Sequence, residues 1–105
     1  MITLMARLYV TDWDRFQRVH DDDMRLRRRR DHGNLTHEVL RGLDDQNQLV
    51  FLDTWNMPQD SDDYYHSDIF QVELDDMGAE LLELIKLEKT TASSVNVGGK
   101  AQSAK

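Results

Sequence analysis

The stretch from Leu35 to Trp55, LTHEVLRGLDDQNQLVFLDTW, constrains the fold of this chain more than any other. Leu35, His37, Val39 and Arg41 alternate with Thr36, Glu38 and Leu40, which is the two-residue period of a strand. Gly42-Leu43-Asp44-Asp45-Gln46-Asn47 follows. Gly, Asp and Asn tolerate turn dihedrals and hydrogen-bond their own backbone. A second run, Leu49-Val50-Phe51-Leu52, leads into Thr54 and Trp55, so the whole reads as a β-hairpin with a connection longer than two residues. The second run is apolar on both of its sides, as a strand is when both faces are covered. Helices of the same chain can cover one face. A chain of 105 residues has little left for the other, and a second subunit is the simplest source, so a homodimer is expected.

Ile2 to Val10 alternates Ile2, Leu4, Ala6, Leu8 and Val10 with Thr3, Met5, Arg7 and Tyr9, a half-buried strand. Thr11-Asp12 offers a helix N-cap, with Asp14 in the first turn where the dipole favours an anion. A single helix is expected from about Trp13 to Arg30, with Phe16, His20, Met24 and Arg27 on one stripe. Asp21–Arg25 and Asp23–Arg27 have the i,i+4 spacing of helix ion pairs, and the Arg27–Arg30 run reads as a solvated helix end stopped near Gly33. Past the hairpin and Pro58, Gln59 to Met77 has a helical period. Ser67-Asp68 can re-cap it into a short and a longer helix, and Gly78 closes it. Ala79 to Lys89 favours helix by composition and strand by alternation. A strand from about Leu82 is preferred because it completes a four-stranded sheet. Thr90 to Lys105, rich in Ser, Gly, Ala and Lys, reads as a flexible tail. The expectation is therefore one domain, 1–89, plus the tail 90–105. Its order, β-α-β-β-α-β, is the α+β ferredoxin-like arrangement with an antiparallel sheet.

Composition narrows the function. There is no cysteine, which excludes disulfides and thiolate chemistry. No apolar run approaches a membrane span, and Met1 to Val10 is too short and uncharged at its start for a signal peptide, so a soluble cytoplasmic protein is expected. The net charge is -7 and is unevenly spread: residues 1–33 hold eight Arg against six Asp, and the remainder is strongly acidic. That balance disfavours nucleic acid, whose binding comes largely from neutralised phosphates. The acid clusters Asp21–Asp23 and Asp60–Asp63 lack the spacing and glycine of a calcium loop, so no metal is expected. No Gly-rich nucleotide loop is present, so no bound flavin or NAD is expected either.

Several segments carry a family likeness: Trp13-Asp14-Arg15-Phe16, Val39-Leu40-Arg41-Gly42-Leu43-Asp44-Asp45-Gln46-Asn47, Trp55, Tyr65, Ser67-Asp68 and Met77-Gly78. With them, the stretch from Trp13 to Glu88 resembles the dimeric α/β-barrel superfamily. That group includes antibiotic-biosynthesis monooxygenases, small polyketide cyclases and haem-degrading monooxygenases. The resemblance implies two sheets packed face to face as a barrel, and in each subunit a substrate pocket between sheet and helices. Trp13, Phe16, Met24, Trp55 and Tyr65 would line that pocket, and such aromatic walls suit planar polycyclic substrates. The haem-degrading members carry an axial histidine where this chain has Glu73-Leu74-Asp75, which argues against haem.

His20 is the first candidate for catalysis, because it titrates near neutral pH and can deprotonate an enol or phenol. Its plainer reading is a helix histidine satisfied by a nearby carboxylate. His37 and Arg41 share a strand side. If that side faces the helices, His37 and His20 can meet in one pocket and Arg41 can stabilise an oxyanion. If it faces a partner subunit, both are interface groups. Two chemistries fit the resemblance: cofactor-independent oxygenation, or cyclisation with dehydration, of a polycyclic or polyketide-like molecule. A non-catalytic, ligand-binding dimeric barrel is the alternative, since fold does not fix function.

Overall fold

The computed structural model describes residues 1–88. Their elements run β1 (Ile2–Val10), α1 (Trp13–His20), α2 (Asp23–Asp31), β2 (Asn34–Arg41), β3 (Gln48–Trp55), α3 (Pro58–Tyr65), α4 (Asp68–Met77) and β4 (Ala79–Leu87). The strands form one antiparallel sheet in the order β2-β3-β1-β4, so the fold is ferredoxin-like α+β. The tail expected at 90–105 lies outside the described residues.

The core follows the two-residue period of the central strands. Leu4, Ala6, Leu8 and Val10 of β1 and Leu49, Phe51 and Trp55 of β3 turn to the helices and are buried with Phe16, Tyr64, Phe70, Leu74 and Met77. The opposite sheet face, fixed by the same register, brings together Met5, Leu40, Val50, Leu52, Ile85 and Leu87 around an Arg7–Glu83 ion pair of 3.2 Å.

Two register shifts re-aim side chains. The β1–β4 ladder passes from Arg7↔Glu83 to Leu8↔Leu81, leaving Leu82 as an extra residue. This resets the alternation, so Leu81 and Leu84 both pack on the core and β4 begins at Ala79 rather than near Leu82. In β2 the pairing passes from Asn34↔Trp55 to Thr36↔Thr54, leaving Leu35 over and allowing Asn34 to be buried.

The single helix expected over Trp13 to Arg30 is two helices. Asp21 ends α1 at φ -82°, ψ 3°, and Asp22 opens α2 in extended conformation at φ -64°, ψ 125°. Aspartate competes with helical backbone for hydrogen bonds and favours caps, and three in succession break the helix. The break shifts the buried stripe by one residue. Phe16 and His20 are followed inward by Arg25 and Arg29, whereas Met24 and Arg27 are exposed. The Arg27–Arg30 run is thus not wholly solvated, because Arg29 is buried. Among the described residues neither Asp21–Arg25 nor Asp23–Arg27 forms an ion pair, and Arg25 instead approaches Glu73 of α4 at 3.7 Å.

The second helical segment divides where Ser67 predicted. Its hydroxyl accepts from the Phe70 N–H at 3.2 Å to start α4. Gly78 ends α4 in the left-handed region at φ 66°, which glycine adopts without a Cβ clash. Arg15 of α1 donates to the terminal carbonyls of Asp75 and Asp76, both at 2.8 Å, tying α1 to the end of α4.

Candidate active site

Asp53 lies on the inward phase of β3, between Phe51 and Trp55, and is fully buried. An ionised carboxylate there is costly unless it is paired and hydrogen-bonded. Four donors satisfy it. Arg29 Nη2 (2.6 Å), the Tyr65 hydroxyl (2.5 Å) and Trp55 Nε1 (3.2 Å) reach Oδ2, and His37 Nδ1 (2.6 Å) reaches Oδ1. Burial alone would raise the Asp53 pKa. The hydrogen bond from His37 and the charge of Arg29 outweigh it and hold the carboxyl below its ordinary value. Arg29 is positioned in turn by Asn34, whose Oδ1 accepts from Nε at 3.0 Å. Its guanidinium carbon lies 4.9–5.6 Å from the ring centres of Phe51, Trp55, Tyr64 and Tyr65.

His37 faces the helices, and its Nε2 lies 2.8 Å from Nε2 of His20. His20 Nδ1 lies 2.9 Å from Asp21 Oδ1. The two rings stack at 5.0 Å between centroids, with Phe16 and Phe51 on their flanks. Burial disfavours a positive charge on either ring. It lowers His20 despite Asp21, and it lowers His37 to about 4 despite Asp53, with the arginine charges adding to the effect. The pair is therefore neutral at pH 7, polarised from one end by an ionised carboxylate. Such a row can accept a proton from an acidic C–H or O–H and spread the resulting charge toward Asp53.

A second buried network stands beside the first. Glu73 of α4 accepts from the Tyr64 hydroxyl and from Arg28 Nη2 at 3.1 Å, and Arg25 lies within ion-pair distance. Burial pushes the Tyr64 hydroxyl up to about 12. Glu73 is thus committed to a buried ion network. Arg25 Nε and Nη2 and Arg29 Nη1 are buried without hydrogen-bond partners among the described residues.

The other expected site residues are dispersed. Arg41 faces the helix side, but it stacks on Trp13 at 4.1 Å and donates from Nε to the Gln46 carbonyl, away from the histidines. Trp13 and Phe16 stack at 5.3 Å, forming an aromatic row from Arg41 to His20. Trp55 and Tyr65 are core residues holding Asp53, and Met24 is on the surface. Between sheet and helices the space is filled by Phe16, Arg25, Arg29, Phe51 and Tyr64. A cleft of about 330 Å³ opens instead between α2 and β2, walled by Asp23, Leu26, Arg29, Asn34, Leu35 and His37 among others. Among the described residues, no group of three or more acidic or imidazole side chains is placed to hold a metal ion, and no helix is long and apolar enough to cross a membrane.

Three residues escaped the sequence reading: Asp53, Arg29 and Asn34. Asp53 left a signal, a charged residue on the buried phase of a strand. Arg29 and Asn34 left none, since their positions depend on the helix break and the bulge at Leu35.

No protein-family sequence model matches the chain, and no curated protein matches it by sequence. Solved structures do. A crystal structure of an antibiotic biosynthesis monooxygenase superposes with a TM-score of 0.64, covering 86% of this chain and 99% of its own at 11% identity. The fold is that of the antibiotic biosynthesis monooxygenases. SnoaB, a cofactor-independent oxygenase from Streptomyces nogalater, shares this monooxygenase fold at TM-score 0.59, covering 87% of this chain and 96% of its own at 17% identity. So does a putative antibiotic biosynthesis monooxygenase from Deinococcus radiodurans, at TM-score 0.58 and 12% identity, covering 92% and 98%. At these identities the likeness is one of fold.

Proposed function

We propose that this chain is a homodimeric enzyme that oxygenates an electron-rich polycyclic or polyketide-like phenol without a cofactor, using the His20–His37 pair as its base. One observation carries the reading: the row Asp53–His37–His20, in which a buried carboxylate polarises two neutral imidazoles. The pair removes a proton from the substrate, whose electron pair stays behind as a delocalised anion. That anion reduces dioxygen. A methylene becomes a carbonyl, one oxygen atom enters the product and the other leaves as water. The protein supplies deprotonation, orientation and a dry wall. The cleft beside His37 admits the substrate. Trp13, Phe16 and Arg41 form the row that backs His20, Trp55 and Tyr65 act through Asp53, and Met24 lies at the outer edge of α2. Enolate formation by the same base would equally start a cyclisation and dehydration.

The half-exposed apolar sheet face supports the homodimer, since its register gathers six apolar side chains. A second reading, a ligand-binding barrel with structural histidines, is favoured by one observation: every ring nitrogen of His20 and His37 already has a polar neighbour in the resting structure.

The test is an aerobic incubation with anthrone-like and polyketide-like phenols and no added cofactor, read by mass spectrometry. A product that gains oxygen in air and not under nitrogen is the expected outcome. Loss of water regardless of oxygen would assign cyclase chemistry instead. Binding without turnover would favour the second reading.

A further inference from the structure

Asp21, His20, His37 and Asp53 stand in a row joined by contacts of 2.9, 2.8 and 2.6 Å. Each contact needs one hydrogen between its two atoms, and two neutral imidazoles carry only two N–H groups. Asp53, ionised beside Arg29, takes the first from Nδ1 of His37. His37 Nε2 is then a lone pair and takes the second from Nε2–H of His20. His20 Nδ1 is left as a lone pair facing a carboxylate oxygen of Asp21, two acceptors with no hydrogen between them. The other tautomer of His20 would move this mismatch between two buried nitrogens, where no water relieves it. The Asp21 side chain is 68% exposed and can turn into water. The remaining charges near the pair are Arg25 and Arg29 from α2, which oppose an imidazolium, and Asp53 from β3, which favours it.

We infer that Asp21 is a proton gate: its position 2.9 Å from His20 Nδ1 is the one that suits a pair that has taken a proton, and while the pair is neutral it turns away into water and leaves Nδ1 open. This rests on the reading of the pair as the base, and it assigns the accepting atom and the exit. The substrate's hydrogen takes the place of Asp21 at Nδ1. As the N–H bond forms, the substrate C–H or O–H bond breaks and leaves its electron pair on the substrate. Asp21 then returns, accepts the hydrogen bond, takes the proton and passes it to water, which restores two N–H groups in the row. Asp21 itself lines a surface depression with Asp14, Gln17 and Arg18, and Asp23, two residues on, is among the walls of the cleft beside His37. Asp21 is a positioning and proton-transfer residue in this scheme, and its sequence signal was masked by the two aspartates beside it.

The experiment is nitrogen-15 NMR of histidine-labelled full-length protein without substrate, in wild type, Asp21→Asn and Asp21→Ala. At pH 7 the wild type is expected to hold His37 as the Nδ1–H tautomer and His20 as the Nε2–H tautomer. On acidification the pair should take up one proton as a unit, and both variants should lower that midpoint by about one unit, because the imidazolium loses its carboxylate. A Nδ1–H tautomer at His20 at pH 7, or the same midpoint in all three proteins, would overturn the proposal. No substrate enters this measurement, so its failure removes the gate and leaves the turnover assay to judge the base, whereas failed turnover removes the base and leaves the measured tautomers unchanged.

Discussion

Asp53 and Arg29 form the polar centre of an otherwise aromatic interior, and they have little value singly. Their 2.6 Å pair is buried to the last percent on both sides, so removing one partner strands the other's charge. Arg29→Met should cost about 3–5 kcal/mol in chemical denaturation. Adding Asp53→Leu in the same chain should recover a large part of that loss, because a well-packed apolar pair replaces a buried ionic one at little cost. The histidines set the acid limb of stability. His37 is held to about 4 in the folded protein against an ordinary value of 6.5, with burial as the main cause. Between those values the unfolded chain binds a proton that the folded chain refuses, so stability is complete above pH 6.5 and falls as the pH drops toward 4. Below that, Asp53, whose folded value is depressed below 3.8, extends the loss. Unfolding free energies from denaturant titrations across pH 7 to 4 should therefore decline by about 1–3 kcal/mol in the wild type, and by less in His37→Phe.

Helix ends separate the elements that local chemistry decides from those that packing decides. Ser67→Ala removes the hydroxyl that accepts from the Phe70 N–H and should cost about 1 kcal/mol. Gly78→Ala forces a Cβ into a left-handed residue and should cost about 1–2 kcal/mol. Asp22→Ala should cost only a few tenths of a kcal/mol, because the Asp22 side chain makes no capping bond. Denaturant titrations of the three variants check the ranking. The same distinction explains what could be read in advance. The hairpin, β1, the re-capping at Ser67 and the stop at Gly78 were legible because each is written in adjacent residues. The α1–α2 break was not, since Asp21 to Asp23 also fit the first half of an acid-then-base helix. From that one offset came the mistaken inward placing of Met24 and the missed burial of Arg25 and Arg29. The bulges at Leu35 and Leu82 were equally silent, because an extra residue in a strand is defined by its partner strand. The meeting of His20 and His37 was foreseen only as one of two faces, and the register chose between them.

The molecule as a whole presents one sheet face packed by its own helices and one carrying Met5, Val50, Leu52 and Ile85 without burying them fully. A second copy covering that face would remove this apolar area from water, at about 25 cal/mol per Å². On the proposed homodimer, the wild type should sediment as a dimer at micromolar concentration and Leu52→Glu as a monomer, while the helix-side core stays folded. Unchanged sedimentation would place any interface elsewhere. The proposed activity depends above all on the histidine pair acting as the base. The direct measurement is the pH–rate profile of substrate oxygenation in wild type and His20→Gln. The wild-type rate should rise with pH through a single titration below 6.5 and then level, with burial having moved that titration down from the ordinary histidine value. In His20→Gln the titration should vanish and the rate fall by roughly 10²-fold or more. Equal rates and the same profile in both proteins would contradict the account.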